Sequence, residues 1–392
     1  HNAIWIHAAS VGEVVAASPI VRELKKRYPK EMVVVSVVTA TGHRMAQRIM
    51  PEADGHIFFP FDLPVITERI VNIVNPKAII LIETELWPNF LRLAWRKNIP
   101  VMMMNGRISD RSMKRYSLIR RFTSRMLLQI KKFCMQSGID AEHIISMGAL
   151  SDRVTITGNT KYDETYAEVS EEEKQQLRHE FHFDGKGPVI VAGSTHNGEE
   201  EIILRIFGKI LKEYPDARLL LAVREITRAL SVRFLVKHFG YSVLRRSKMG
   251  TEEDDGRGHQ VIILDTIGEL GRLYSLADVV FVGGSFVKVG GHNILEPAAH
   301  GKPVLVGPYM FNFREIFDLL SKRGVCRMAQ NESELEKTLR DLLAHPEKMK
   351  AMGEAALSVV AENQGATKRN VDTFAKLAEK YKIDLMENTD EY

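Results

Sequence analysis

The chain has 392 residues, 45% of them apolar and 27% charged, with only 14 prolines, which is enough for two or three domains with a sizeable core and unlike a collagen-like or disordered sequence. Lys and Arg number 54 against 50 Asp and Glu, a formal charge of +4; so mild an average can still conceal a concentrated patch. Cys134 and Cys326 lie far apart without CxxC spacing, so nothing supports a disulfide framework or a structural zinc site, and a reducing compartment is expected. No run free of Asp, Glu, Lys and Arg exceeds 12 residues, against the roughly 20 apolar residues of a membrane-crossing helix.

In chain order, short β-branched runs alternate with amphipathic helical stretches, as in a parallel α/β sheet with helices on both faces. The strand candidates of the first half are 4–7, 32–38, 78–82, 101–104 and 154–157, and the helical patterns include 14–28 and 109–130. The last of these is basic: Arg107, Arg111, Lys114, Arg115, Arg120, Arg121, Arg125, Lys131 and Lys132 stand against the single acid Asp110, beside Ile119, Phe122, Met126, Leu127 and Ile130. Residues 161–187 hold a polar, acidic helix over 170–182 and a turn-rich Asp184-Gly185-Lys186-Gly187-Pro188, and read as a linker. A second α/β series follows, with strands over 189–192, 219–223, 261–264, 279–282 and 304–306, and the tail 366–386 has the pattern of a long helix. The expected division is 1–165, 166–365 and a terminal helical segment, 366–392, packing back on the first domain. Open parallel sheets bind ligands at the carboxyl ends of their strands, and two facing sheets make a cleft, so motifs belong just after strands.

Four segments meet that condition. His7-Ala8-Ala9-Ser10-Val11-Gly12-Glu13 opens the first helix; Gly12 permits a tight turn, N–H groups at a helix start favour an anion, and Glu13 can act as a base or simply complement the helix dipole. Glu83-Thr84-Glu85-Leu86-Trp87-Pro88-Asn89 carries two carboxylates at spacing two, able to hold a sugar hydroxyl or to raise one another's pKa. Gly193-Ser194-Thr195-His196-Asn197-Gly198-Glu199 is a small polar loop before a helix; it lacks the Lys-Ser/Thr ending of a Walker loop, and Ser194 or Thr195 would cap the helix. The most specific is Gly283-Gly284-Ser285-Phe286 with Gly290-Gly291-His292-Asn293-Ile294-Leu295-Glu296-Pro297, where paired glycines allow close approach of a phosphate and Glu296 can accept two ribose hydroxyls. Gly158-Asn159-Thr160-Lys161 adds a cation. No Asp-x-Asp pair, GxSxG elbow or HExxH is present, so neither a catalytic metal nor any other cofactor is expected.

Taken in order, these segments, with Asn105-Gly106-Arg107-Ile108-Ser109-Asp110-Arg111-Ser112, Gly158 to Asp163 and Gly307-Pro308, resemble the 3-deoxy-D-manno-octulosonic acid (Kdo) transferases of lipopolysaccharide synthesis, from the first residues to about Phe313. The resemblance implies an α/β fold in the glycosyltransferase-B arrangement, two Rossmann-like domains, with CMP-Kdo as donor held mainly by the C-terminal one. It implies metal-independent, inverting transfer to a lipid A precursor (lipid IVA) at the cytoplasmic face of the bacterial inner membrane. The enzyme would be attached peripherally or through an N-terminal anchor preceding this chain.

On that pattern Glu13 is the general base, ionised at its helix N-terminus. Ser194, His196, Gly198, Glu199, Arg224, Gly284, Ser285, Gly291, His292, Asn293 and Glu296 hold the donor, the departing phosphate being met by N–H groups around Ser194, Gly291 and His292. Ser10, Gly12, Glu85, Lys161, Arg107, Arg111 and Arg115 approach the sugar or acceptor. The sequence departs from the family's Pro-Arg-His-Pro-x-Arg, reading Val223-Arg224-Glu225-Ile226-Thr227-Arg228. The basic stretch 107–132 suits an anionic membrane and a phosphorylated lipid, and without interleaved aromatic platforms it does not suit nucleic acid. Two alternatives remain: a UDP-sugar transferase or sugar-nucleotide epimerase of the same architecture, and a nucleotide-sensing or membrane-scaffolding protein that binds CMP without chemistry.

Overall fold

A computed structural model describes residues 2–109, 112–113, 116, 119–163, 169–254, 256 and 258–385. The chain divides into two compact units, His1–Thr165 with Asn363–Tyr392, and Tyr166–Glu362.

The first unit is built on seven parallel strands: β1 (Ala3–His7), β2 (Val33–Val37), β3 (Gly55–Phe58), β4 (Pro76–Ile82), β5 (Val101–Gly106), β6 (Lys132–Met135) and β7 (Val154–Ile156), in the order β3-β2-β1-β4-β5-β6-β7. β1 is buried along its whole length, the mark of a strand covered on both faces. Its side chains alternate between two cores. Ile4 and Ile6 pack with Val14, Ile20, Val21 and Leu24 of the helix Val11–Arg27, and with Val371, Phe374 and Leu377 of the helix Ala366–Tyr381. Ala3 and Trp5 pack on the other side with Phe90, Leu91 and Ala94 of the helix Pro88–Arg96 and with Met126 and Leu127.

The second unit repeats the plan with β8 (Val189–Thr195), β9 (Arg218–Val223), β10 (Val243–Arg245), β11 (Val261–Leu264), β12 (Val279–Val282), β13 (Val304–Val306) and β14 (Cys326–Met328), all parallel, in the order β10-β11-β9-β8-β12-β13-β14. Its core joins Ile190 and Ala192 to Ile203, Leu204, Phe207 and Ile210 of the helix Glu199–Glu213.

The expected helix over 109–130 is corrected. Within it Ser112, Met113 and Tyr116 are helical, Ile119 stands in a turn, a helix follows over Arg120–Leu127, and the stretch after that turns into β6, where Lys132 pairs with Met102 and Phe133 with Met103. Met126, Leu127 and Ile130 are core residues, not part of an exposed apolar face. Ile119, Phe122 and Leu128 remain exposed, among the exposed Arg120, Arg121 and Arg125. The strands absent from the sequence-based expectation are β3, β6, β10 and β14. Three of them are sheet edges of three or four residues, too short for a periodic signal.

The helix Ala366–Tyr381 is fastened to the first unit by polar contacts as well. Asp163 accepts from the backbone N–H of Gly365 and Thr367 at its start, and Arg369 Nε donates to Thr157 O at 2.8 Å. Phe374 is fully buried there. Phe374→Ala should cost about 3–5 kcal/mol, lowering the melting transition and the amide protection of residues 1–163 while leaving protection within 169–362 unchanged. Equal loss of protection in both units would refute this assignment of the terminal helix.

Candidate active site

A doubly wound sheet opens a crevice where neighbouring strands lead off in opposite directions. That point lies between β1 and β4 in the first unit and between β8 and β12 in the second. All four motifs follow these strands.

In the first unit, Ser10 caps the helix Val11–Arg27, its Oγ accepting from Glu13 N and donating to Glu13 Oε1 at 2.8 Å. Glu13 Oε2 accepts from Ala9 N at 2.8 Å. Gly12 is exposed within the first helical turn and needs no left-handed backbone, so the tight turn expected of it is not formed. Glu13 itself is 8% exposed. Burial first, then the charges of Glu85 and Glu83, push its carboxyl up to about 8, against the opposing hydrogen bonds from Ser10 and Ala9. The expectation that the helix N-terminus keeps it ionised is corrected: desolvation and two like charges outweigh the helix end.

Glu83 and Glu85 come from the turn after β4. Glu83 has a left-handed backbone, φ 57°, and its Oε1 meets Lys161 Nζ at 3.0 Å. Lys161 is delivered by a short helical turn, Thr160–Asp163, fixed from three sides. Thr160 N donates to Asn105 Oδ1, Thr160 Oγ1 donates to Ala16 O, and Asp163 receives the start of the terminal helix. Glu85 Oε2 accepts from Trp87 Nε1 at 2.8 Å and lies 3.6 Å from His7 Nε2. The buried His7 ring stacks on Phe59 and is held by Ser36 Oγ, 2.9 Å from its Nδ1. Tyr116 is part of this surround, its hydroxyl pKa raised by burial and then by Glu85. Arg107 follows β5, its carbonyl accepting from Thr84 Oγ1; Arg111 and Arg115 lie outside the described residues. The site thus joins a strongly basic carboxyl, two more carboxylates and a lysine. Glu83 was expected only as one of the paired carboxylates, and His7, Trp87, Asn105 and Tyr116 were not singled out; His7, Trp87 and Asn105 stood inside the quoted motifs, but their roles depend on contacts across strands.

In the second unit, Ser194 ends β8 with a left-handed backbone, φ 56°, and Gly198, φ 93°, caps the helix Glu199–Glu213, where Ser194 or Thr195 was expected. His196 and His292 face each other, rings nearly parallel and Nε2 atoms 2.8 Å apart. Burial, then Arg224 and His196, push His292 down to about 3. Arg224 and Glu225 are both exposed, the latter therefore turned to solvent. Asn293 Nδ2 donates to Glu296 Oε1 at 3.2 Å, at the start of the short helix Leu295–Ala299.

Four expected donor contacts are corrected. Glu199 is fully buried and its carboxylate already accepts four backbone N–H groups, from His196, Gly284, Ser285 and Phe286. Ser285 is fully buried too, its Oγ donating to Val282 O and accepting from Gly307 N. The N–H of Gly284 goes to Glu199 and that of Gly291 to Gly284 O. Glycine is required at 283, where a Cβ would lie 2.5 Å from Ser194 O, and at 284, where it would lie 2.9 Å from the His292 ring at φ 67°. These glycines bring protein against protein.

Comparison with known proteins agrees with this geometry. Residues 1–164 match the family described as 3-deoxy-D-manno-octulosonic-acid transferase (kdotransferase), and residues 194–359 match the glycosyl transferases group 1. The 3-deoxy-D-manno-octulosonic acid transferase of Haemophilus influenzae is 39% identical, over 94% of this chain and 86% of that protein. That of Bordetella pertussis is 31% identical over the same shares, 94% and 86%. Among solved structures, a UDP-GlcNAc 2-epimerase from Neisseria meningitidis superimposes with a TM-score of 0.62 at 18% identity, covering 95% of this chain and 99% of that one, a likeness of fold alone. The two family matches thus place the chain, with its two Rossmann-like units, among the sugar transferases of the glycosyltransferase-B class. The chain belongs to the 3-deoxy-D-manno-octulosonic acid transferases.

The Glu13 environment predicts a stability effect with a definite sign. Its ordinary pKa is 4.5 and its folded pKa about 8, so the fold favours the protonated form. That contribution is full below about pH 4.5 and is lost as pH rises to about 8. Glu13→Gln cannot ionise. Its stability advantage over the parent in denaturant titrations should therefore grow across that window, on the order of a few kcal/mol, and level off above it. An advantage independent of pH would contradict the raised pKa.

Proposed function

We propose that the chain transfers Kdo from CMP-Kdo to a hydroxyl of a lipid A precursor, lipid IVA, with inversion at the anomeric carbon and Glu13 as general base. The observation that carries this reading is the buried Glu13 carboxyl, raised to about 8 beside Glu83 and Glu85. A base of that strength takes a proton from a sugar hydroxyl far more readily than an ordinary carboxylate does. The acceptor oxygen attacks the anomeric carbon as its proton passes to Glu13, and the bond from that carbon to the phosphate oxygen breaks with its electron pair leaving on CMP. Lys161 and Arg224 are cations suited to the donor's carboxylate and phosphate. Asn293 and Glu296 offer polar groups suited to the ribose. The transfer is proposed to need no metal. In support, CMP is a good leaving group.

CMP release and glycosylated lipid should form from CMP-Kdo and tetraacylated precursor, unaffected by chelator, and Glu13→Ala should lose orders of magnitude in kcat with donor affinity retained. For the intact chain kcat/KM should climb about tenfold per pH unit below a bend near 8. A bend near 4.5, or full activity of the variant, would remove Glu13 from the mechanism.

Membrane attachment is proposed for the same unit, at the cytoplasmic face of the inner membrane. Exposed Ile119, Phe122 and Leu128 stand among exposed Arg120, Arg121 and Arg125. Exposed Phe61 and Leu63 lie on a loop whose Asp62 accepts from the N–H groups of Asn89 and Phe90 beside the Glu85 turn, and exposed Val65 stands in the first turn of the helix Pro64–Val74 that follows. Apolar side chains mixed with arginines suit an anionic lipid surface, at about 1 kcal/mol per charge near it. No helix among the described residues is long and apolar enough to cross a membrane. Reversing Arg120, Arg121 and Arg125 to Glu should abolish sedimentation with phosphatidylglycerol vesicles while donor binding is kept; undiminished sedimentation would place attachment elsewhere.

A further inference from the structure

Glycine-rich loops after parallel strands usually present their N–H groups to a ligand phosphate. In this chain that place is taken. The N–H groups of Gly284, Ser285 and Phe286 after β12, and of His196 after β8, all donate to the two oxygens of Glu199, at 2.8 to 3.0 Å. An ionised carboxylate offers about four lone-pair sites, so this one has none left for a ligand.

The consequence reaches the histidine pair. Gly291 N donates to Gly284 O at 2.8 Å, which fastens the loop bearing His292 to the loop held by Glu199, and the His292 ring lies against Gly284. His196, on the other side of the 2.8 Å contact with His292, is fixed by its own N–H to Glu199. One carboxylate therefore sets the distance between two loops that are 85 to 87 residues apart in sequence.

We propose that Glu199 is a positioning residue, an internal anion that fills the N–H cradle and holds His196 and His292 as the group that receives the donor's phosphate. The second half of this statement rests on the donor reading above; the first does not. Phosphate recognition then falls to side chains and to the remaining backbone, and the glycine-rich loop serves as the frame that carries them.

The test is a pair of variants of the full chain, followed by amide hydrogen exchange, by CMP titration and by steady-state kinetics. Glu199→Ala removes the carboxylate and leaves room for formate, a carboxylate of the same shape. Protection at His196 and 284–286 should fall and CMP affinity should drop about tenfold or more. Donor KM should rise in parallel while acceptor KM changes less than about twofold, and added formate should reverse all of these effects. Glu199→Gln fills the same space with an amide that can accept only through its oxygen; it should show the same loss, and formate should not restore it. Protection and CMP affinity unchanged in both variants, or a loss in folded Glu199→Ala that formate does not reverse, would overturn the proposal. If Glu199→Ala does not fold, the Gln variant decides by its exchange rates and donor KM. If the intact chain fails to bind CMP, the donor reading falls, and the exchange and formate results still decide whether Glu199 holds the loops.

Discussion

The constraint on which both units depend is the burial of a carboxylate at the carboxyl end of a parallel sheet. Each unit leaves a strand beside its switch point through a small-residue loop and carries a Gly-Glu pair at the helix start: Gly12-Glu13 in the first turn after β1, and Gly198-Glu199 at the cap and first helical position after β8. Burying an anion is costly unless hydrogen bonds replace its water. The two sites differ in how many bonds do so. Glu199 receives four N–H groups, three of them from the loop after the neighbouring strand β12. Glu13 receives one N–H and one hydroxyl, and the corresponding neighbour, the turn after β4, brings it two more carboxylates instead of donors. Incomplete compensation is what raises its pKa, and a carboxyl that holds its proton tightly is by the same measure a good base. Similar Gly-Glu settings thus yield a carboxylate saturated with donors in one unit and a carboxyl of raised pKa in the other.

Backbone strain sits at the same strand ends. Glu83, Asn105 and Ser194 are all non-glycine residues in the left-handed region, a conformation costing of the order of 1–3 kcal/mol each. Two of them fall where a ladder skips register, between Met103 and Gly106 and between Ala192 and Thr195. The surroundings hold them there. Asn105 accepts from Thr160 N through its side chain and from Gln136 Nε2 through its carbonyl. Glu83 N donates to Met104 O while its carboxylate is held by Lys161. The strain lifts the chain out of the sheet at the ends of these strands.

Much of this was legible in the sequence, because the central strands are continuous apolar runs and each motif directly follows one. Elements whose signal is weak or borrowed were not. The strands β3, β10 and β14 are short edges, and β6 was concealed because Lys131 and Lys132 extended the charge pattern of the helix before it. The difference between Glu13 and Glu199 was equally invisible, since both stand in the same Gly-Glu setting and their fates are decided by loops some 70 to 87 residues away. A motif fixes which groups are available; the topology decides which of them remain uncommitted. Composition offers the glycine-rich loop as a phosphate cradle, whereas the N–H groups of Gly284, Ser285 and Phe286 are taken by the chain's own carboxylate.

The same reasoning explains why the end of the chain returns to the first unit. Lys161 stands on a turn of four residues, too short to hold a cation in place through its own hydrogen bonds. Asp163, two residues on, accepts the otherwise unpaired N–H groups at the start of the helix Ala366–Tyr381, while Arg369 and Asn370 of that helix bind Thr157 just before the turn. A helix start needs an acceptor and the turn needs anchors on both sides, so each satisfies the other. The hydrophobic side of the helix, with Val371, Phe374 and Leu377 in the core, makes the arrangement permanent. Lys161 is thereby held against Glu83, and the charge that Glu83 places on Glu13 is kept at a fixed distance rather than left to a mobile side chain. The basicity of Glu13 is in this way tied to residues more than two hundred positions later in the chain.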